Sequence, residues 1–258
     1  MRVLKSGLRI LAGGAEMEAK SLQGSKEDVL ECEKWWTFIL LMFVGGFFGA
    51  FTYSIRGGVF CNAQTANFVL SAIALGNGRW GEFLYYFIPM TAYFLGAFIS
   101  ESAPNYIKEH LRIRWDTLLL LIEMLTVVFL ALLPESAPHR ITHVLINLIA
   151  SMQYNTFRQT RHIPMATTFC TNHLRQVGIA ASQALRHRDR RAVQRMLVHC
   201  RMLLAFVAGG TTAAVLCRYL QGKALLFTLL PLGYLFVDLL LEDIRSGKDR
   251  LARKPAGH

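Results

Sequence analysis

The sequence predicts an all-α membrane protein, with six transmembrane helices and two re-entrant or cavity-lining polar segments arranged as an internal inverted repeat. Three observations predict it. Only 17% of the 258 residues are charged and 53% are hydrophobic, against about 25% charge in a soluble domain. The apolar residues form runs long enough for a ~30 Å hydrocarbon core. The order span, polar segment, span, span occurs twice.

The same composition excludes disorder. A net charge of +11 and a pI near 9.7 do not indicate a nucleic-acid partner, because the basic residues stand at the ends of apolar runs and form no continuous basic face. The cysteines Cys32, Cys61, Cys170, Cys200 and Cys217 are odd in number and irregularly spaced. They match neither a disulfide framework nor a zinc pattern.

Residues 1–34 mix Lys and Arg with Glu and Asp, and their only apolar patch, Leu8 to Ala12, is too short for a signal-peptide core. This stretch is read as a cytosolic tail, part of it an interfacial helix. The first span, Trp35 to Ile55, runs about twenty residues without a charge and opens on interfacial aromatics. Further spans are read at Phe83–Ser100, Thr117–Leu133, Ile141–Phe157, His199–Leu220 and Ala224–Leu241. Membrane repeats at 35–133 and 141–241 follow, with a basic cytosolic tail at 242–258.

Val59–Gly76 and Ile163–Gln183 are harder to place in lipid. The first holds Asn62, Gln64, Thr65 and Asn67; the second holds Thr168, Thr171, Asn172, His173, Arg175 and Gln176. A mid-membrane Arg alone costs roughly 2.5–3.5 kcal/mol on insertion scales. Charge placement supports re-entry, since cytoplasmic loops collect Lys and Arg. If neither segment crosses, both tails, the loop with Lys108, Arg112 and Arg114, and the run Arg186 to Arg195 all face the cytoplasm. Those basic loops would meet anionic lipid headgroups.

Small residues echo between the halves: Ala92, Gly96 and Ser100 against Ala205, Gly209 and Ala213, at intervals that let helices approach closely. Asn67 and Asn172 hold similar places in the two polar segments. Three spans per repeat, an odd number, would turn the second copy upside down. Such repeats bring equivalent polar segments together near the midplane.

His143, Asn147, Ser151 and Asn155 recur every four residues along Ile141–Phe157 and form one polar stripe. It faces either the polar segments or a neighbouring helix in a hydrogen-bonded seam. His139 and His143 lack a third ligand and are read as interfacial, so no metal site and no cofactor are expected. Glu123 and Asp238 are the carboxylates well inside apolar runs, hence candidate coupling acids. Arg175 either binds an anionic solute or marks where the chain leaves the membrane.

The stretches GGFFGAFTYSIRGGVFCNAQTANFVLSAIALG and ASMQYNTFRQTRHIPMATTFCTNHLRQVG resemble the YoaK-like family of bacterial multi-pass membrane proteins, a domain of unknown function. Thr65-Ala66-Asn67 stands for that family's Thr-Gly-Asn, Gln153-Tyr154-Asn155 for its Gln-Asn, and Thr167-Thr168 with Thr171-Asn172 for its closing Thr motifs. Gly49-Ala50 replaces its Asp-Ala, so a carboxylate is missing there. The resemblance covers about residues 35–241 and implies a bacterial inner-membrane location, six or seven spans and no established activity.

The expected function is a transporter or channel-like permease for a small solute, with Asn62, Gln64, Thr65, Asn67, Asn147, Ser151, Asn155, Thr168, Thr171, Asn172 and Arg175 lining the pathway. The alternative is a non-transporting membrane scaffold or sensor. No enzyme is expected, because no catalytic group has a visible partner. A homo-oligomer is compatible with the small-residue faces.

Overall fold

A computed structural model describes residues 30–110, 113–160, 163–187 and 189–245. Of the tails expected at 1–34 and 242–258, residues 1–29 and 246–258 lie outside the described residues, as do Arg112 and Arg188 of the basic loops. Eight α-helices are defined among those described: α1 (Trp35–Ile55), α2 (Gln64–Gly76), α3 (Trp80–His110), α4 (Trp115–Leu132), α5 (His139–Thr156), α6 (Thr171–His187), α7 (Arg190–Leu220) and α8 (Leu229–Arg245). A 3-10 turn, Gln221–Thr228, joins the last two. Among the described residues the only strands are a pair of two residues each, β1 (Gln159–Thr160) and β2 (Ile163–Pro164), paired antiparallel with Gln159 opposite Pro164.

Four of the described helical stretches are long and apolar enough to cross a membrane: Trp35–Ile55, Trp80–Pro104, Trp115–Leu132 and Arg190–Arg245. Large apolar side chains such as Phe94, Phe98, Leu204 and Leu230 point outward from them. A surface of this kind belongs in a bilayer. Helix α5 has the length but is more polar, and its polar side chains turn inward: Thr142, His143, Asn147, Ser151, Gln153 and Thr156 are all buried.

The centre of the bundle is α1. Phe38, Leu41, Met42, Val44, Phe47, Phe48 and Phe51 are all buried, so this helix is enclosed by protein on every side. Its glycines are what let neighbours come so close. A Cβ on Gly46 would collide with the Phe206 carbonyl, and one on Gly209 with the Phe43 carbonyl. Gly210 packs on Ala50, and the Arg201 guanidinium lies over the Trp35 ring at 5.8 Å. Arg201 on Trp35 towards one end and Gly210 on Ala50 towards the other make α1 and α7 run parallel.

Helices α3 and α5 form a second parallel pair. Gly96 faces the Leu148 carbonyl, the Ser151 hydroxyl donates to the Tyr93 carbonyl at 2.5 Å, and Asn155 Nδ2 donates to Ser100 at 2.8 Å. Arg140 over Tyr85 and the Arg158–Glu101 ion pair extend the same register. Both small-residue faces noted in the sequence are therefore packing faces, each against the first helix of the other half.

Side-chain contacts also fix the ends. At one end Arg114 Nη2 meets Cys32 Sγ at 2.8 Å and the Asp116 carboxylate at 2.5 Å. The Asp243 carboxylate accepts from Arg114 N at 2.9 Å and Thr117 Oγ1 at 2.7 Å. It thereby caps the first turn of α4, whose N-cap residue offers no side-chain acceptor of its own. Trp115 Nε1 donates to Thr156 at 2.8 Å, and Thr160 Oγ1 to the Glu33 carbonyl at 2.5 Å, at this same end. At the other end the His143 ring meets the Arg56 carbonyl, Gly57 packs against Tyr85 and His139, and Gly222 lies on Arg56. The six helices α1, α3, α4, α5, α7 and α8 thus alternate in direction, and the stretches 57–79 and 157–189 each start and finish at one end of the bundle.

The helices exceed the apolar windows read from the sequence. α7 begins at Arg190 instead of His199, because Asp189 accepts from Arg191 N at 2.8 Å and caps it there. The window that opened at Ala224 starts as the 3-10 turn and becomes α-helical at Leu229. Hydropathy detects the lipid-facing part of a helix, whereas capping and continuing i→i−4 bonds set its length.

Candidate functional site

Each polar segment consists of a non-helical stretch followed by a helix. In the first, Gly57 and Gly58 (φ 83° and 71°) turn the chain back after α1, and Val59, Cys61 and Asn62 are buried before α2 begins. In the second, Met165, Ala166, Thr167 and Thr168 are buried between the hairpin and α6. Buried non-helical backbone needs polar partners that a helix would have supplied internally. Polar side chains at these positions supply part of that requirement.

The two stretches converge on one stripe of α1. Asn62 Nδ2 donates to the Gly45 carbonyl at 2.9 Å. A Cβ on Gly45 would sit 2.5 Å from the Thr167 carbonyl, and one on Gly49 2.9 Å from Asn62 Oδ1. Gly45 and Gly49 are one helical turn apart, so the missing side chains open a shelf on α1 that holds both stretches. The Gly49 that stands where the YoaK-like pattern has Asp therefore makes room for Asn62.

Around this shelf lies a polar network. Gln64 Nε2 donates to Asn147 Oδ1 at 2.5 Å and to the Cys61 carbonyl at 3.0 Å, and Asn147 Nδ2 donates to the His143 carbonyl at 2.7 Å. Asn67 Nδ2 donates to the Phe60 carbonyl at 3.2 Å and to Gln64 Oε1 at 3.4 Å. Several buried polar atoms meet no hydrogen-bond partner: Asn67 Oδ1, Ser71 Oγ, Gln153 Nε2 and Oε1, and the hydroxyls of Thr167 and Thr168. Burying such a group unpaired costs about 1–3 kcal/mol. Of these, Thr167 lies on the shelf itself and Asn67 in the network beside it.

The polar stripe of α5 divides between two tasks. Asn147 joins the first polar segment, whereas Ser151 and Asn155 belong to the seam with α3. Of the other expected pathway residues, Thr168 lies in the buried second stretch, Thr65 and Thr171 are exposed, and Asn172 accepts from the exposed Arg175 at 3.1 Å. No hydrogen bond joins Asn67 to Asn172 among the described residues. Glu123 is fully buried and neither of its oxygens has a partner; Asp238 is half-buried.

Sequence reasoning missed three features here. Gln153 falls off the four-residue stripe, and no spacing singles out Thr167. The buried pair His173 and His199, joined Nδ1 to Nδ1 at 2.9 Å, ties α6 to α7, while His173 Nε2 donates to the Ala166 carbonyl at 2.7 Å. Two histidines 26 residues apart on different helices carry no local signal. Among the described residues no group of three or more potential ligands could hold a metal ion, and all five cysteines are free.

Residues 37–237 match the model of a family described as a protein of unknown function, DUF1275. No curated protein and no solved structure matches the chain.

Proposed function

The chain belongs to DUF1275, a family of unknown function, and from its long apolar helices we propose that it is a membrane permease of transporter or channel type for a small solute. Six helices cross the bilayer in this reading, and the two polar segments re-enter it from opposite faces as halves of an inverted repeat. Within the family we place the chain near the YoaK-like members, in the bacterial inner membrane with both termini cytoplasmic. The basic loops at the Arg114 end then meet anionic headgroups.

One observation carries the reading. Two buried non-helical stretches, one from each half and entering from opposite ends of the bundle, meet on the Gly45–Gly49 shelf beside polar groups that packing leaves unpartnered. Irregular backbone at membrane depth is tolerated where it is enclosed by protein or lines a polar path. The alternating helix directions and the reciprocal pairing of α1 with α7 and α3 with α5 support the inverted repeat.

Glu123 is the proposed coupling acid. It lies eight residues beyond Trp115, roughly 12 Å along α4 at 1.5 Å per residue, well inside the bundle. Asp238, half-exposed on α8, is a weaker candidate. Reconstitution into proteoliposomes tests the site: wild-type protein moves a member of a solute panel, and Asn147→Leu or Thr168→Val reduces that flux about tenfold or more without lost expression. Equal flux in folded variants would remove the shelf from the pathway.

A further inference from the structure

The geometry points to an oxyanion-binding site at Arg56, at the end of the bundle opposite Arg114 and away from the Gly45–Gly49 shelf. Arg56 is 2% exposed, yet no carboxylate pairs with it among the described residues, and its Nε and Nη2 meet no hydrogen-bond partner. These two nitrogens form one edge of the guanidinium. Their N–H bonds run parallel, the arrangement that receives two oxygens of a carboxylate, sulfate or phosphate group at once. A buried arginine with that edge unused is expensive to keep unless something anionic arrives there.

The surroundings hold the edge in place and crowd it with no acid. The arginine's own carbonyl is fixed by the His143 ring, which donates through Nε2. On the side of Nη2 stands Gly222, where a Cβ would lie 3.0 Å from that nitrogen. Gly222 does not have a left-handed φ, so its backbone conformation does not demand glycine. A side chain there would press on the guanidinium. His139 and Arg140 stand at the same end, against Gly57 and the Tyr85 ring; of the carboxylates there, Glu82 is already paired with Arg79 at 3.1 Å and Glu135 is exposed to solvent. The local field thus favours an anion. The ligand class is an oxyanion presenting two oxygens, delivered free in solution or as the phosphate of a lipid headgroup, and the site does not depend on the permease reading.

Full-length protein in a neutral, phosphate-free detergent tests this by thermal unfolding in sulfate, phosphate or acetate against chloride at matched ionic strength. Native mass spectrometry after exposure to phosphatidylglycerol forms a second arm. A saturable rise in Tm with an oxyanion over chloride, present in the wild type and in Arg79→Gln but lost in Arg56→Gln and Gly222→Ala, establishes a free-anion site. Retention of a phosphatidylglycerol adduct by the wild type and Arg79→Gln, lost in the other two variants, establishes a headgroup site. Gly222→Ala meets only the mobile end of an arginine side chain, so it folds and decides the matter if Arg56→Gln does not. The assignment is overturned if chloride serves as well as any oxyanion and no lipid adduct forms, or if neither arm separates the wild type from Gly222→Ala.

Discussion

Asn67 and Asn172 occupy matching places in the sequence and very different ones in space. Asn67 is buried within the network of Phe60 and Gln64, while Asn172 shares a half-exposed surface with Arg175. Asn67→Leu should therefore lower the Tm, by the equivalent of about 1–3 kcal/mol for breaking buried hydrogen bonds, and reduce flux. Asn172→Leu should leave both within experimental error. Equal effects from the two would contradict the environments described. Cys32 offers a second residue-level check: burial, with the Asp116 carboxylate beside it, pushes its thiol well above the usual range. In a variant retaining only this cysteine, maleimide should react slowly at neutral pH. The rate should rise with pH, because only the thiolate attacks.

Between elements, close approach of backbones and one ionic clasp do most of the organising. Gly46 and Gly209 allow α1 and α7 to touch, and Gly96 does the same for α3 against α5. Gly209→Leu has to drive α7 away from the Phe43 carbonyl, and since overpacking costs about 1–3 kcal/mol or more, poorly folded protein and a monodisperse peak lost in size-exclusion chromatography are expected. Gly178→Leu, at a glycine where a Cβ meets nothing, should behave like the wild type. The clasp joins α4 and α8 to the residues before α1 through Arg114, Asp116, Asp243 and Cys32. Arg114→Ala leaves the nearly buried Asp116 without its partner, and loss of one member of such a pair typically costs about 3–5 kcal/mol. A smaller loss for the double variant Arg114→Met/Asp116→Leu would show that the penalty comes from the stranded charge.

The whole molecule is tested by sidedness. With the natural cysteines replaced, single cysteines at Asn77 and Ser136, both exposed at the Arg56 end, should react with a membrane-impermeant maleimide from outside intact cells. A cysteine at the exposed Arg190, at the opposite end, should react only after lysis. Labelling of Asn77 and Ser136 from opposite faces would mean that the first polar segment crosses the bilayer, and the inverted repeat would fail with it. The opposing behaviour of the ends is the expectation that charge placement already made, since Lys and Arg gather at the Arg114 end.

Much of this architecture is legible in the residues alone. Long apolar runs reveal helices because each must satisfy its own backbone in lipid. The runs rich in Asn, Gln and Thr stand apart because such groups cannot face lipid cheaply. Spacing by four marked Gly96 and Gly209 as contact faces, and the polar stripe of α5 as an inward face. Partners in three dimensions were not legible. Whether Asn147 bonded Gln64 or joined the seam with α3, whether Asn172 followed Asn67 into the core, and that His173 would find His199, depended on contacts between residues far apart in sequence. Glu123 and Arg56 make the same point: their positions in the chain mark them as charged residues near or within apolar runs, and only the packed bundle buries both without a partner. Local pattern determines which face of a helix turns inward, because that follows from the helical period. What meets that face is decided when the whole chain packs, because the strength of a buried polar contact depends on every group that excludes water around it.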